Sequence, residues 1–295
     1  MRNPAFQTRE AMAAARCGRG FEAAAPGLWC CGDLIGLGRT CVAIVGTRAA
    51  TPYGRRLAFQ IALELGRAGC CILSGLALGI DAAAHEGALD AGAPTIGVLG
   101  GGHRHFFPRR NRPLAQRILA GGGAVLSPYP PDQPAQPWQF LERNGIVAAL
   151  ADAVLVVEAP SRSGALNTAG WAAGRIPVLA VPGDVDRRHV QGCLALIRDG
   201  ATLARDAGDV LEALGRTRPA PIATARRAGD ATSSALLQAL EAGAAEFDEI
   251  VAVSGVPASA ALASLALLEL EGAVESRGAA RYARVETPPG GEHHG

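Results

Sequence analysis

The strongest constraint on the fold is an alternation of short apolar runs with segments of helical periodicity. The apolar runs have the length of β-strands, and they lie at 41–46, 71–74, 94–100, 123–127, 153–159 and 177–183. Segments with helical spacing follow the first five runs, at 53–68, 80–91, 111–121, 138–150 and 164–174. Nearly continuous apolar strands are typical of a parallel sheet that is buried on both faces. The alternation therefore predicts an α/β fold with an extended, Rossmann-like, doubly wound parallel sheet.

The pattern changes after residue 214. The following stretch is rich in Pro, Ala and Arg, a composition typical of a linker. Three helical segments and a hairpin expected to turn at Arg277-Gly278 come next, and this order predicts a small C-terminal winged-helix-like domain. The predicted boundaries are 1–27 for an N-terminal tail or vestigial segment, 28–214 for the Rossmann-like domain, 215–234 for the linker, 235–286 for the winged-helix-like domain and 287–295 for a disordered tail.

Charge and cysteine content narrow the possible chemistry. All 28 residues counted as Lys or Arg are arginines, which excludes a Walker-type or Schiff-base lysine but allows phosphate binding by guanidinium groups. The seven cysteines form no Cys-x-x-Cys pair, so we expect buried, reduced thiols, as at Cys41, Cys70 and Cys71, with no metal or cofactor. No apolar run is long enough to span a bilayer and no signal peptide is recognisable, so we expect a cytoplasmic protein.

Common enzyme motifs are missing from the predicted loops. The first turn from strand to helix has no Gly-x-Gly-x-x-Gly, which disfavours a dinucleotide oxidoreductase. No Walker, Gly-x-Ser-x-Gly or His-Glu-x-x-His motif occurs. Asp81 and His85 lie four residues apart on one predicted helix face, where we expect them to anchor the start of the helix rather than to act as an acid–base pair.

The loops that follow the predicted strands are the candidate binding region, because ligands of open parallel sheets bind beyond the carboxyl ends of the strands. The first loop contains Gly46 and Arg48, and Ser-Gly pairs occur at Ser74-Gly75, directly after a strand, and at Ser163-Gly164, at a predicted helix N-terminus. Backbone N–H groups in such turns hold anions, although Ser and Gly also serve in plain turns and helix caps. Several such loops at one edge of the sheet favour a site for an anion or a phosphate backbone.

Arginines and aromatic residues alternate in two further segments, "HRHFFPRRNR" (103–112) and "PPDQPAQPWQFLERNG" (130–145). Cations for phosphates together with flat rings for bases favour binding of single-stranded nucleic acid, and Arg109 and Arg110 are candidate phosphate contacts. The alternative is a proline-rich surface loop whose aromatic residues fill the edge of the core.

These segments together resemble the DNA-processing protein A family, also called DprA or Smf. The resemblance covers about 28–214 and includes "VAIVGTRAATPYGRR" (42–56), "LSGLALGIDAAAHEGAL" (73–89), "FLERNGIVAAL" (140–150) and "VLVVEAPSRSGALNTA" (154–169). It implies a bacterial protein that binds and protects single-stranded DNA and helps load the RecA recombinase in natural transformation. It also implies a homodimer formed through the Rossmann-like domain and no catalysis.

The resemblance further implies which residues contact DNA. The family's Gly-[Ser/Thr]-Arg motif falls on 46–48 and gives a phosphate contact to Arg48. Two positions depart from the family pattern, Leu78 and Gly145, where a basic residue is usual, so we expect weaker binding or compensation by the arginines of 104–112. The other implied contacts are Ser74, Gly75, Leu76, Ala77, Phe140, Arg143, Asn144, Arg162, Ser163 and Gly164.

Two alternative functions belong to different classes. Related Rossmann-like enzymes hydrolyse nucleoside monophosphates, but their Pro-Gly-Gly-x-Gly-Thr-x-x-Glu signature is absent and "PGDVD" (182–186) is the nearest sequence. The winged-helix-like domain is a candidate for duplex binding. Its predicted third helix, 257–271, contains no arginine, so we expect this helix to pack internally or to meet a protein partner.

Overall fold

The computed structural model describes residues 4–17, 26–217, 231–270, 273–276 and 280–284. The chain divides into two compact units, the first ending at Pro219 and the second beginning at Ala220. The division falls within the predicted linker, of which residues 218–230 lie outside the described residues.

The described part of the first unit is built on one nine-stranded sheet. Its strands are β1 (Ala5–Thr8), β2 (Gly27–Gly32), β3 (Cys41–Val45), β4 (Cys71–Ser74), β5 (Thr95–Val98), β6 (Ala124–Ser127), β7 (Ala153–Val156), β8 (Val178–Ala180) and β9 (Thr202–Leu203). Their order in the sheet is β1-β2-β6-β5-β4-β3-β7-β8-β9. All neighbours from β6 to β9 pair in parallel, whereas β2 pairs antiparallel with β6 and β1 antiparallel with β2. The predicted doubly wound parallel sheet is thereby confirmed.

Helices cover both faces of this sheet. They are α1 (Arg9–Ala15), α2 (Pro52–Arg67), α3 (Ile80–Asp90), α4 (Arg112–Ala120), α5 (Gln139–Leu150), α6 (Gly164–Ala172), α7 (Gln191–Arg198) and α8 (Ala207–Ala213). In β3, Cys41, Ala43 and Val45 pack into the core shared with α5 and α6. The alternate residues, Val42 and Ile44, pack into the opposite core with α2 and α3. This double burial is the physical reason why the central strands are continuously apolar.

The N-terminal segment differs from its sequence-based prediction as a tail or vestigial segment. Among the described residues 4–17, β1 pairs with β2, and Thr8 caps α1 by accepting a hydrogen bond from the Ala11 N–H at 3.3 Å. Met12 of α1 is fully buried in the core. Four-residue β1 is a mostly exposed antiparallel edge strand, and it therefore lacks the continuous apolar run that marks the central strands.

The second unit has the predicted order of three helices and a hairpin. These are α9 (Ala231–Glu241), α10 (Phe247–Ser254), α11 (Ala258–Leu270), β10 (Val274–Ser276) and β11 (Tyr282–Arg284). Helix α10 ends at Gly255, whose φ of +68° is a left-handed conformation that favours glycine. The core of the second unit contains Leu236, Ile250, Leu265 and Val274, one residue from each helix and one from the hairpin.

Helix α9 begins before the predicted linker ends, since its first residue lies at position 231. The predicted hairpin turn at Arg277-Gly278 lies outside the described residues, and so does the predicted tail 287–295. No single helix among the described residues is long and apolar enough to cross a membrane. Helices α10 and α11 reach that length and apolarity only when added together, and a bend of 110° separates them.

Candidate nucleic-acid interface

An open cleft of about 690 Å³ lies where the connectivity of the sheet changes direction. The chain leaves β3 toward β4 on one side, whereas β7 lies on the other side of β3. Loops after β3 and β7 therefore diverge and leave a crevice beyond the carboxyl ends of these strands, as expected for a doubly wound sheet. Most residues predicted from the sequence line this cleft: Gly46, Arg48, Gly75, Ala77, Phe140, Arg143, Asn144, Arg162, Ser163 and Gly164.

Glu158, which follows β7, holds the loop after β3 in place. This buried carboxylate accepts hydrogen bonds from the Thr51 N–H at 2.9 Å and the Thr51 hydroxyl at 2.5 Å. The Glu158 carbonyl accepts from the Thr47 N–H at 2.7 Å. Gly54 makes room for the carboxylate, since a Cβ there would lie 2.3 Å from Glu158 Cδ. Glu158 thus fixes both ends of the short segment that carries Arg48.

Arg48 is exposed at the mouth of the cleft. Its guanidinium lies 5.3 Å from the centre of the Phe140 ring, and the Arg143 guanidinium lies 6.0 Å from the same ring. Phe107, which is about half exposed, packs against Phe140 with a ring separation of 5.8 Å. The cleft therefore places an aromatic ring beside two cations, a combination suited to a flat base with a neighbouring phosphate.

Arg143 is a buried cation and not a surface contact. Its side chain is 4% exposed, and it donates hydrogen bonds to the carbonyls of Gly75 and Val98. Burial, and secondly the charge of Arg48, lower the pKa of Arg143 to about 10, so the group keeps its charge at neutral pH. We infer that Arg143 supports the floor of the cleft, because its Nη1 and Nε donors already have acceptors inside the protein.

In the turn after β4, backbone N–H groups are bonded within the protein. The Gly75 and Ala77 N–H groups donate to Asp81 Oδ2 at 3.0 and 3.3 Å, and the Ser74 hydroxyl donates to the Ile44 carbonyl at 2.6 Å. The expectation that this turn grips a phosphate through these N–H groups is wrong for Gly75 and Ala77, because the Asp81 carboxylate occupies them. Burial raises the pKa of Asp81, while the Arg143 guanidinium opposes this effect.

Ser74 and Leu76 are fully buried and do not line the cleft, in contrast to their predicted roles as DNA contacts. Leu76 has a φ of +55°, which is unusual for a side chain with a Cβ. The buried amide of Asn111 stabilises this conformation by donating to the carbonyls of Leu76 and Ala77, both at 2.9 Å. The Leu76 side chain packs in the core beneath α4.

Asp81 and His85 bond to different partners. Asp81 reaches back to the turn, whereas His85 Nδ1 lies 2.7 Å from the Thr95 hydroxyl on β5. His85 is fully buried, and burial followed by the charge of Arg143 lowers its pKa to about 3. Asp81 anchors the start of α3 as expected, whereas His85, in the second turn, bonds the helix to β5 and takes no part in that anchor.

The turn after β7 is open, unlike the turn after β4. Ser163 caps α6 by accepting a hydrogen bond from the Ala165 N–H at 3.3 Å, while Arg162 and Gly164 are exposed to the cleft. The Asn144 side chain links α5 to this turn by donating to the Gly164 carbonyl at 3.0 Å. The Arg162 guanidinium of this turn is therefore accessible from the cleft.

The segments rich in arginine and aromatic residues contain both exposed residues, as nucleic-acid binding requires, and residues that fill the edge of the core. Phe106 is buried and fills the core edge, whereas Phe107 and Trp138 are about half exposed. Arg109 and Arg110 are exposed outside the cleft, and Arg110 lines a neighbouring groove. The DNA-binding roles of both arginines stay predictions.

The Trp171 ring lies against position 145. A Cβ at Gly145 would lie 3.2 Å from the indole of Trp171, so this ring covers the α5 backbone there. Trp171 is 45% exposed. The sequence gives no sign of this role for Trp171, because a single aromatic residue on a predicted helix carries no motif.

The cysteines predicted as buried are free and buried, at Cys41, Cys70 and Cys71. The hydrogen bond to Cys41 and burial raise the pKa of Cys71. Within the described residues, no group of three or more His, Cys, Asp or Glu side chains is arranged to hold a metal ion.

Fold and site together define a Rossmann-like α/β protein with an arginine-bearing cleft at the switch point of its sheet, followed by a small helical unit with a hairpin. The family model for DNA recombination-mediator protein A matches residues 15–215, and that for the DprA winged helix domain matches 218–279. The chain belongs to the DNA recombination-mediator protein A family. The second unit is accordingly a winged-helix domain.

Named relatives agree with this assignment. The chain is 43% identical over 247 residues to a protein named "Putative DNA processing protein DprA" from Mycobacterium tuberculosis, covering 80% of this chain and 62% of that protein. It is 40% identical over 183 residues to the DNA processing protein DprA of Bacillus subtilis, covering 61% of each chain. The chain thus spans about three fifths of the length of these relatives.

Two solved structures share the fold. DNA processing protein A from Streptococcus pneumoniae superposes with a TM-score of 0.61 at 38% identity, covering 64% of this chain and 66% of that chain. DNA processing protein A from Helicobacter pylori superposes with a TM-score of 0.58 at 32% identity, covering 64% of this chain and 86% of that chain. The Helicobacter pylori structure concerns the single-stranded DNA binding mode of that protein.

Proposed function

We propose that this chain binds and protects single-stranded DNA in the cleft and helps load the RecA recombinase onto it, in natural transformation and recombination. In this proposal it acts as a homodimer formed through its first unit, in the bacterial cytoplasm and without catalysis. Family membership and the single-stranded DNA named for the Helicobacter pylori relative support the ligand. The observation that carries the proposal is the exposed Arg48 guanidinium beside the Phe140 ring inside an open cleft.

The geometry favours a single strand over a duplex. Phe140 offers a ring to an unstacked base, and stacking of one base on an aromatic ring contributes about 1–3 kcal/mol. Arg48 and Arg162 stand on opposite loops of the cleft, and neither forms an ion pair with another described residue. Their guanidinium groups are therefore available to phosphates on either side of a bound base.

Fluorescence anisotropy of a labelled oligonucleotide tests the ligand and the site. We expect the wild type to prefer the single strand over a matched duplex, with affinity that falls steeply as salt rises. Arg48→Ala should weaken binding and make the slope of log K against log salt shallower by about 0.7, the value for one lost phosphate contact on a single strand.

Arg117→Ala is the matched control. Arg117 is an exposed arginine near the end of α4 and lies 3.9 Å from Asp90, at the amino edge of the sheet and away from the cleft. This variant loses the same charge and should bind as the wild type does. Well-folded wild-type protein that binds no oligonucleotide at low salt would overturn the proposal and direct the search to nucleotides.

The recombinase and the dimer need separate measurements. Sedimentation at increasing protein concentration should show a dimer that persists after deletion of the second unit, because the proposed contact lies in the first unit. RecA filament formation on single-stranded DNA should accelerate in the presence of the protein and lose this acceleration with Arg48→Ala. A monomer at all concentrations, or filament growth indifferent to the protein, would contradict these parts of the proposal.

A further inference from the structure

A second groove of about 540 Å³ lies beside the cleft, on the outer side of α2 and α3. Arg48 lines both the groove and the cleft, so the two openings adjoin at this residue. Arg55 and Arg56 on α2 and Arg110 before α4 contribute the other basic side chains. The described lining residues include four arginines and a single carboxylate, that of Glu86. The groove is therefore strongly positive.

These groove arginines differ from those exposed arginines of the described chain that pair with a carboxylate. Elsewhere, Arg104 pairs with Asp132, and Arg205 with Asp209. In the described residues neither Arg55 nor Arg56 has a carboxylate within 4.0 Å, and Arg56 instead stacks 5.7 Å from the centre of the Tyr53 ring. Neighbouring like charges repel each other, so an uncompensated group of this kind is electrostatically complementary to an anion.

The position of these arginines on α2 strengthens the inference. Helix α2 begins at Pro52, and Arg55 and Arg56 lie in its first two turns. Cations near a helix N-terminus oppose the macrodipole, which favours anions there. The opposite face of α2 buries Gly54, Ala58 and Ile61 against the sheet, and packing therefore does not require arginine at these exposed positions.

We propose that this groove holds the phosphodiester backbone of the same DNA strand after it leaves the cleft at Arg48. The inference rests on the proposed function and extends it. Phosphate is the favoured chemistry, because the groove offers guanidinium groups while its one aromatic lining residue, Phe59, is half-buried. Leu78 lines the same groove and carries no charge, so the positive charge of the groove comes from its arginines.

The test is a series of single-stranded oligonucleotides of increasing length, bound by the wild type and by the double variant Arg55→Ala/Arg56→Ala. The shortest oligonucleotides that bind occupy the cleft alone, and we expect both proteins to bind them equally. For longer oligonucleotides the wild type should gain affinity and the variant should not. The slope of log K against log salt should be shallower in the variant by about 0.7 for each arginine, and Arg55→Lys/Arg56→Lys should restore most of it.

The control is the double variant Arg117→Ala/Arg198→Ala, which removes two exposed arginines from other parts of the unit. An equal affinity loss in both double variants would mean that only net charge matters, and it would overturn the proposal that the groove holds DNA. Unchanged long-oligonucleotide binding by Arg55→Ala/Arg56→Ala would overturn it as well. Absence of binding by the wild type at every length would instead contradict the proposed function itself.

Discussion

The turn after β4 and the turn after β7 look alike in sequence but differ in the structure. Both contain Ser-Gly and both lead from a parallel strand into a helix, although Ser74-Gly75 lies at the end of β4 and Ser163-Gly164 at the start of α6. After β4 the serine is fully buried, and Asp81 accepts hydrogen bonds from the backbone of the turn. After β7 the serine caps α6, and the adjacent Arg162 is exposed in the cleft.

The two turns differ because the turn after β4 has a carboxylate of the protein itself beside it, that of Asp81. Helix α3 has Asp81 in its first turn, whereas α6 has no acidic residue there. A carboxylate at that position fills the place that a ligand phosphate would take, since both are attracted to the same N–H groups and the same helix end. A Ser-Gly turn at a strand end is therefore a candidate anion site only when the first helical turn lacks its own acid.

Removing the buried cation beneath the β4 turn should have the largest effect. Arg143→Ala leaves the Gly75 and Val98 carbonyls without their donor and the buried Asp81 without its nearby positive charge, and the free energy of unfolding should fall by about 3–5 kcal/mol. Arg162→Ala, the exposed counterpart at the β7 turn, should change it by less than about 0.5 kcal/mol. Urea unfolding followed by tryptophan fluorescence measures the first unit, because Trp29, Trp138 and Trp171 all lie there. Equal stability of the two variants would contradict the contrast.

The two turn glycines provide a matched pair. A Cβ at Gly75 would lie 2.4 Å from the Arg143 guanidinium, and Gly75→Ala should lower the free energy of unfolding by about 1–3 kcal/mol. At Gly164 the nearest atom is Asn144 Nδ2 at 3.7 Å, an ordinary contact, so Gly164→Ala should be neutral or raise stability by up to about 1 kcal/mol. The same urea titration decides the matter, and a larger loss at Gly164 than at Gly75 would refute it.

The buried histidine of α3 should make stability depend on pH. The pKa of His85 is about 3 when folded and about 6.5 when unfolded, so between these values the unfolded chain binds more protons and stability falls as pH decreases. The contribution approaches about 1.4 kcal/mol per pH unit, the value for one proton. The slope for the wild type minus that for His85→Gln isolates this group, because Asp81 titrates in both proteins. An unchanged slope in His85→Gln would disprove the assignment.

The smallest effect should come from the open turn. Arg162→Ala should leave unfolding unchanged but make the salt slope of single-stranded DNA binding shallower by about 0.7. Anisotropy titrations at several salt concentrations measure this slope. If Arg162→Ala binds with the wild-type slope, then the β7 turn does not contact phosphate and the difference between the two turns has no functional meaning.

Much of the framework is predictable from local patterns. The six continuous apolar runs correspond to β3 to β8, and the switch between β3 and β7 lies where the loops rich in Gly and Arg meet. Strands β1, β2 and β9 escape the same reasoning, because the first two form an antiparallel edge and β9 has two residues. Trp171 also escapes it, since its contact with position 145 joins two helices and leaves no trace in either helix alone.

The sequence by itself determined the α/β order, the winged-helix unit and the family, because periodicity and ordered motifs are local properties of the chain. Only the tertiary structure decided which polar groups are free to meet a ligand. Arg143 finds its acceptor at Gly75, 68 residues away, and Thr51 finds Glu158 across 107 residues. Burial and hydrogen-bond partners of this kind arise from distant segments, so two arginines of the predicted site differ in the structure: Arg143 is a buried support and Arg48 is exposed.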